Sequence, residues 1–354
     1  MIGNQPPKGQ LNTLAQSGGG LVTNSVQKQP IIVNGEGTDL STGAIRNRAK
    51  RKTITQLLML CLIDVAREKG RGEEYIKAYW NTWHCQSRIY SASGRLYGTY
   101  CKNRFCPVCC GIRKAEIIHK YLPIIDKWEN PHFVTLTIQS VTAKQLRKRM
   151  KDMMTAFIAI KDKYRKWHVK DKSIKLMGIK SLECNFNPID GTYNPHFHLI
   201  VPNKGTANIL VQEWKKYWGY KLVNSAAQKI QEIDSTENCL VELVKYGTKI
   251  FTDPFMKKKN ERKVAPVIYV SAIDNIIYAM KDLRIFERFG FHLPPPQRVK
   301  VSQSQILSQY DEWIHDPKQN DWINAEDCEQ LLTGYKLTGE LLYLLENNID
   351  KELE

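Results

Sequence analysis

The chain contains no long hydrophobic run. Its longest, residues 57–63, has seven residues, where a membrane-spanning helix needs about 20. The first residues show neither the basic flank nor the apolar stretch of a secretory leader, so a cytoplasmic protein without a membrane segment is expected. Acidic residues are also scarce, 36 Asp and Glu against 52 Lys and Arg, for a formal charge of +16. Even these are unevenly placed. Residues 301–354 hold twelve acidic and three basic side chains, which leaves residues 1–300 with a net charge of +25. A body this basic points to a polyanionic partner. Residues 1–41 are rich in Gly, Asn, Gln and Ser and have no sustained hydrophobic periodicity, so a disordered arm is expected, extended by the basic run of residues 44–52 to a first segment of 1–50. With 354 residues, 42% of them hydrophobic, there is room for one large or two modest domains.

What is present centres on Asn194-Pro195-His196-Phe197-His198-Leu199-Ile200-Val201-Pro202. An apolar run bracketed by prolines reads as a strand. A period of two then sets both imidazoles on one face and Phe197 on the other. Two neutral imidazoles one pleat apart can hold one divalent cation. A hard metal serving phosphate chemistry usually takes a carboxylate as third ligand. Residues 174–187 read as a neighbouring strand, and Asn187-Pro188-Ile189-Asp190-Gly191 as the turn that folds it back antiparallel. Glu183 then lies opposite the histidines, in a setting that strand propensity alone disfavours.

Downstream, Glu242-Leu243-Val244-Lys245-Tyr246-Gly247-Thr248-Lys249 has helical spacing, with Glu242, Tyr246 and Lys249 on one face at i, i+4 and i+7. Here the chain resembles the rolling-circle replication initiators of small bacterial plasmids, within the HUH (His-hydrophobic-His) endonuclease superfamily. Phe133-Val134-Thr135-Leu136-Thr137 is similar to that family's first strand, His196-Phe197-His198 to its metal motif, and Glu242 with Lys245, Tyr246 and Lys249 to its nucleophile helix. The resemblance spans residues 85–249. It implies metal-dependent nicking and joining of single-stranded DNA, with Mn²⁺ or Mg²⁺ held by His196, His198 and Glu183. Tyr246 would form a 5′-phosphotyrosyl link and leave a free 3′-hydroxyl primer, and Glu242 would direct a water in the terminating cut. The implied partners are the plasmid double-strand origin, single-stranded DNA and a host helicase. Tyr278, Tyr217 and Tyr220 are the alternative nucleophiles. A transposase or mobilisation relaxase of the same superfamily would share the metal strand, but the order of motifs and the presence of Glu242 favour an initiator. The reading from another class is a non-catalytic, zinc-bearing nucleic-acid binder.

Cys85, Cys101, Cys106, Cys109 and Cys110 fall within 26 residues. Cys106-Pro107-Val108-Cys109 is a tight knuckle that Cys85 and Cys101 can complete as a tetrahedral structural zinc site, with His84 or Cys110 as substitutes for one ligand. The expected module spans 85–125, and small cysteine modules also precede the catalytic domain in the initiators the chain resembles. Arg104, Arg113, Lys114 and Lys120 surround it and can reach DNA. Residues 51–84 read as helices, with Thr53 or Thr55 as a cap and Gly70-Arg71-Gly72 as a break.

From residue 130 the pattern reads β-α-β-β-α-β-α. That order argues an α+β fold, a split sandwich with an antiparallel central sheet, which is also the fold the resemblance implies for residues 130–300. Lys257, Lys258 and Lys259 form a basic loop suited to a phosphate backbone. Residues 265–289 read as a helix or a strand plus helix, and residues 301–354 as an acidic, largely helical tail.

Overall fold

The computed structural model describes residues 29–33, 37–244, 266–293 and 305–336. Its central sheet has five antiparallel strands in the order β8-β5-β7-β6-β9. They are β5 (His132–Thr137), β6 (Gly178–Asn187), β7 (Thr192–Val201), β8 (Lys229–Glu232) and β9 (Phe286–Phe289). In the β6–β7 hairpin, Glu183 pairs with His196, Ser181 with His198 and Ile179 with Ile200. Thr135 and Thr137 of β5 lie across β7 from His198 and His196.

The pleat gives the sheet two unlike faces. Phe197, Leu199, Val201, Leu182, Val134 and Leu136 point into the main core. There α4 (Ala143–Val169), α5 (Lys204–Trp218) and α7 (Pro266–Met280) cover them. The apolar stripe of α4, Leu146, Met150, Met153, Phe157 and Ile160, is buried, so its methionines are core residues. Each such side chain contributes about 1.5–3 kcal/mol on burial. Helix α5 starts at Asn203, whose side chain accepts from the Thr206 amide. On the other face, α3 (Pro107–Ile125) and α6 (Thr236–Val244) cover only one end, where Tyr121, Ile125, Leu240 and Leu243 pack on Phe133, Ile179 and Ile200. At the end carrying the histidines, among the described residues, the Phe133 ring lies 5.0 Å from that of His198.

Ahead of α3 in the chain lie α1 (Thr42–Glu68) and α2 (Glu73–Trp83). The break falls at residues 70–72 as the glycines suggest. Thr53 and Thr55 cap nothing. Both lie within α1 and donate to the carbonyls of Ala49 and Arg51 one turn back. Helix α1 also takes in the basic run of residues 44–52, which the sequence pattern assigned to an unfolded arm; Ile45 and Ala49 are buried there against the second sheet. Asp274 of α7, wholly buried, joins α1 and α2 to the core by accepting from Lys69 at 3.1 Å, Arg71 at 2.9 Å and Tyr79 at 3.0 Å.

A larger correction concerns the acidic end. Residues 305–324 are not helical. They form β10 (Gln305–Leu307), β11 (Asp311–Asp316) and β12 (Asp321–Asn324). β10 pairs with β1 (Ile31–Val33), and β11 and β12 enter a second five-stranded sheet of order β12-β11-β3-β4-β2. Its other strands are β2 (Thr38–Asp39), β3 (Arg88–Ala92) and β4 (Arg95–Gly98). The physical reason is a period of two in β11, where Trp313 and His315 are buried while Glu312 and Ile314 point outward. The β3–β4 turn has Ser93 at φ 49° and Gly94 at φ 72°, the left-handed pair a two-residue hairpin requires. Of residues 301–354, expected as a largely helical tail, only 305–336 fall within the described residues.

His315 meets Trp322 edge to face at 5.0 Å between ring centres and is buried, with no hydrogen-bond partner on either ring nitrogen among the described residues. Burial, with a smaller contribution from the nearby Lys52 ammonium, pushes its pKa down to about 3. The ring is therefore neutral in the fold but gains a proton near pH 6.5 when unfolded, so the stability it contributes is present above about pH 6.5 and is lost as pH falls toward 3. Urea unfolding should show the midpoint dropping between pH 7 and 4, and His315→Leu should flatten that drop. An unchanged pH slope in the variant would refute the assignment.

Candidate active site

One end of the central sheet gathers Glu183, His196 and His198, whose candidate ligand atoms lie within 4.8 Å of one another. Nε2 of His198 is 3.5 Å and Nε2 of His196 is 3.8 Å from the same carboxylate oxygen of Glu183. Each imidazole is oriented through its other nitrogen. Nδ1 of His196 lies 3.0 Å from the Asn194 carbonyl, and Nδ1 of His198 lies 3.2 Å from the Thr135 hydroxyl. That leaves both Nε2 atoms facing the carboxylate, the arrangement that second-sphere partners impose on metal-ligating histidines. Glu183 is nearly fully buried; its Oε2 is the oxygen facing the imidazoles, and its Oε1 has no hydrogen-bond partner among the described residues. A buried carboxylate oxygen without a donor is costly, and a cation bound between the three side chains satisfies it. The donor set of two imidazoles and one carboxylate can hold a divalent ion.

The sequence reading did not single out Thr135 or Lys229. Thr135 was legible in principle, being in phase with Phe133 and Thr137 on a strand already identified. Lys229 of β8 pairs with Thr135, so its exposed side chain shares the face and the row of His198. Of the helix expected to carry the nucleophile, α6 is described to Val244. Glu242 lies on it by its backbone alone, and Lys245, Tyr246, Lys249, Lys257, Lys258 and Lys259 lie outside the described residues. The alternative tyrosines are elsewhere. Tyr278 sits under Arg71, 3.8 Å from its ring centre, on the opposite side of the sheet, and Tyr217 and Tyr220 are exposed at the end of α5.

The second cluster joins Cys85 after α2, Cys101 after β4, and Cys106 and Cys109 at the start of α3. Sγ of Cys109 is 3.6 Å from those of Cys85 and Cys101. A tetrahedral ion with bonds of about 2.3 Å sets its sulfurs about 3.8 Å apart. Crowding splits the thiols. Hydrogen bonding from Cys106 holds Cys101 far below the ordinary thiol range, while Cys106 and Cys85 are pushed up by the Cys101 sulfur beside them. The four thiolates can coexist only around a cation. Cys110 stands apart: it donates to the Arg104 carbonyl, and burial raises its pKa to about 12. His84 is not part of the cluster. Beneath it, Lys52 is wholly buried and donates to the carbonyls of Trp83 and Cys85. Of the basic residues around the module, Arg104 donates to the Leu283 carbonyl and Arg113 to that of Lys102, while Lys114 is half-buried on α3.

Calorimetric titration with Mn²⁺ should give one ion per chain at the histidine cluster. Thr135→Val should weaken it about 10–100-fold and Glu183→Ala should abolish it, whereas wild-type affinity in both variants would exclude the site. Separately, Cys106→Ser combined with Cys109→Ser should release about one equivalent of zinc and lower the denaturation midpoint, since structural zinc free energy is folding free energy. Metal-replete wild-type protein with no zinc by elemental analysis would contradict this.

A family profile described as replication protein matches residues 95–293. Protein rep of Streptococcus pneumoniae serotype 2 is 29% identical over 196 residues, covering 51% of this chain and 58% of its own length. Protein rep of Bacillus amyloliquefaciens is 30% identical over 128 residues, 34% of this chain and 36% of that one. Protein rep of Staphylococcus aureus is 33% identical over 170 residues, 42% of this chain and 69% of that one. The chain thus spans little more than half of the pneumococcal relative and about a third of the Bacillus one. No solved structure matches it. The matched residues take in both the histidine cluster and three of the four clustered cysteines, and on this match the chain belongs to the Rep family of plasmid replication proteins.

Proposed function

We propose that the protein initiates rolling-circle replication of a plasmid by nicking one strand of its double-strand origin, through a covalent tyrosyl intermediate, and rejoining it. The observation that carries this reading is the buried Glu183 carboxylate, whose Oε2 faces two pre-oriented imidazoles while its Oε1 has no hydrogen-bond partner among the described residues. The sheet order β8-β5-β7-β6-β9, with helices on both faces, supports reading the domain as an HUH split sandwich. His196, His198 and Glu183 would hold Mn²⁺ or Mg²⁺, and a bound ion supplies Lewis-acid polarisation of the scissile phosphate. Tyr246 would be the nucleophile. A phenol of pKa near 10 lies about 4 kcal/mol from its phenolate at pH 7, and a cationic side chain nearby reduces that cost. As the tyrosine oxygen bonds to phosphorus, the bond to the 3′ oxygen breaks and that oxygen takes up a proton, leaving the primer terminus. Glu242 would direct water to the terminating phosphate. Zinc on Cys85, Cys101, Cys106 and Cys109 would hold the preceding module together. The helicase partner rests on the family resemblance alone.

Incubation with a single-stranded oligonucleotide spanning the nick site and Mn²⁺ should give an SDS-resistant adduct. The adduct should vanish in Tyr246→Phe and in the His196→Ala/His198→Ala double variant, with duplex binding largely retained because affinity comes from phosphate contacts. Glu242→Gln should still form adduct and fail to terminate, accumulating multimeric single strands. Full nicking by the double-histidine variant would overturn the metal assignment.

A further inference from the structure

Between α1 and α3 lies a cavity of about 350 Å³, lined by Ala44, Asn47, Arg48 and Arg51 of α1, by Val108, Gly111, Ile112 and Ala115 of α3, and by Thr38. On both helices the lining residues are spaced i, i+3, i+4, i+7. Each helix thus turns one whole stripe toward the other, and two such stripes ordinarily interdigitate. Here the small residues Ala44, Gly111 and Ala115 leave part of the space between the helices open. What occupies its rim is guanidinium. Arg48 is held by Thr38 and Gln86. Arg51 lies so close over α3 that a Cβ on Gly111 would come within 2.5 Å of its Nη1. From Thr42 to Ile63 α1 carries no acidic residue, and α3 carries one, Glu116. Arg46 and Lys50, on other faces of α1, are exposed and add to the positive charge of the helix.

We infer that this cleft is a second DNA-binding site, separate from the nicking centre, which takes the phosphodiester backbone of duplex DNA. Arg48 and Arg51 contact phosphates and Asn47 adds a neutral donor, while Ala44, Val108, Ile112 and Ala115 form an apolar floor for deoxyribose. Charge complementarity selects the occupant: the rim is cationic, the floor is apolar, and arginine forks suit phosphate oxygens. The site stands apart from the chemistry. Gly111 is ten residues, about 15 Å along the helix, from Tyr121, which packs on the covered end of the catalytic face. The inference deepens the initiator reading and rests on it only for its biological purpose.

The test is fluorescence anisotropy of the full chain with a labelled duplex of mixed sequence, over a salt series, without added Mn²⁺ or Mg²⁺. Arg48→Ala/Arg51→Ala should bind about tenfold more weakly near physiological salt. Its slope of log K against log salt should flatten by about 1.8, the value for two lost phosphate contacts. Zinc content and adduct formation on a single-stranded oligonucleotide should be unchanged. Gly111→Ala, which displaces Arg51 without removing charge, should weaken duplex binding in the same direction, and it decides the question if the double variant does not fold. Wild-type affinity and slope in these variants overturn the site, and an equal loss of single-strand adduct overturns its separateness. If the wild type forms no adduct at all, the nicking reading fails while the duplex measurement still decides this one.

Discussion

The register of β6 against β7 is the constraint on which the rest depends. With Glu183 opposite His196, one face of the hairpin carries three candidate metal ligands and the other carries Leu182, Phe197 and Leu199 into the core. A slip of one residue would exchange the faces, burying a carboxylate and two imidazoles in an apolar layer and exposing the residues that hold α4 and α7 in place. The packing of the hydrophobic side therefore sets the geometry of the polar side. The turn at residues 187–191 reinforces it, with the Asn187 side chain donating to Asp190 and accepting from the Ile189 amide.

Much of this was legible in the chain because it is local. A period of two, a proline at each end and an Asn-Pro turn are enough to align the histidines with Glu183. Cys106 and Cys109 follow from the geometry of a two-residue knuckle. The strand and helix order from β5 to α6 emerges from hydrophobic spacing alone. What failed to show was long-range. β11 pairs with β3 across some 220 residues, as in Trp313 donating to the Ser91 hydroxyl, and no local pattern announces a partner so distant. An acidic, leucine-bearing segment read without that partner looks helical. Buried charges were equally hidden, because Lys52, Lys180 and Asp274 look like ordinary surface residues until the groups that hold them are known.

Those buried charges share a logic. Lys180 lies against the rings of Phe157 and Phe197 and pairs with Glu287 of β9, and burial lowers its pKa to about 8. Asp274 collects a lysine, an arginine and a tyrosine. Each such group costs more to strand unpaired than it contributes when paired, so each acts as a check on assembly: the edge strand, the helical pair and the core must all arrive together.

The second sheet has a bearing on how the protein is made. β2, β3 and β4 emerge from the ribosome early, together with the cysteine cluster, but the strands that complete their sheet, β11 and β12, are more than 200 residues away. Closing a loop of that length is slow, and until it closes β3 presents a free edge. The central sheet, closed but for β9 by residue 232, can form while the chain is still being synthesised. Translation therefore delivers the two halves in sequence. A nascent chain would own its histidine cluster before the sheet beside its cysteine cluster was complete.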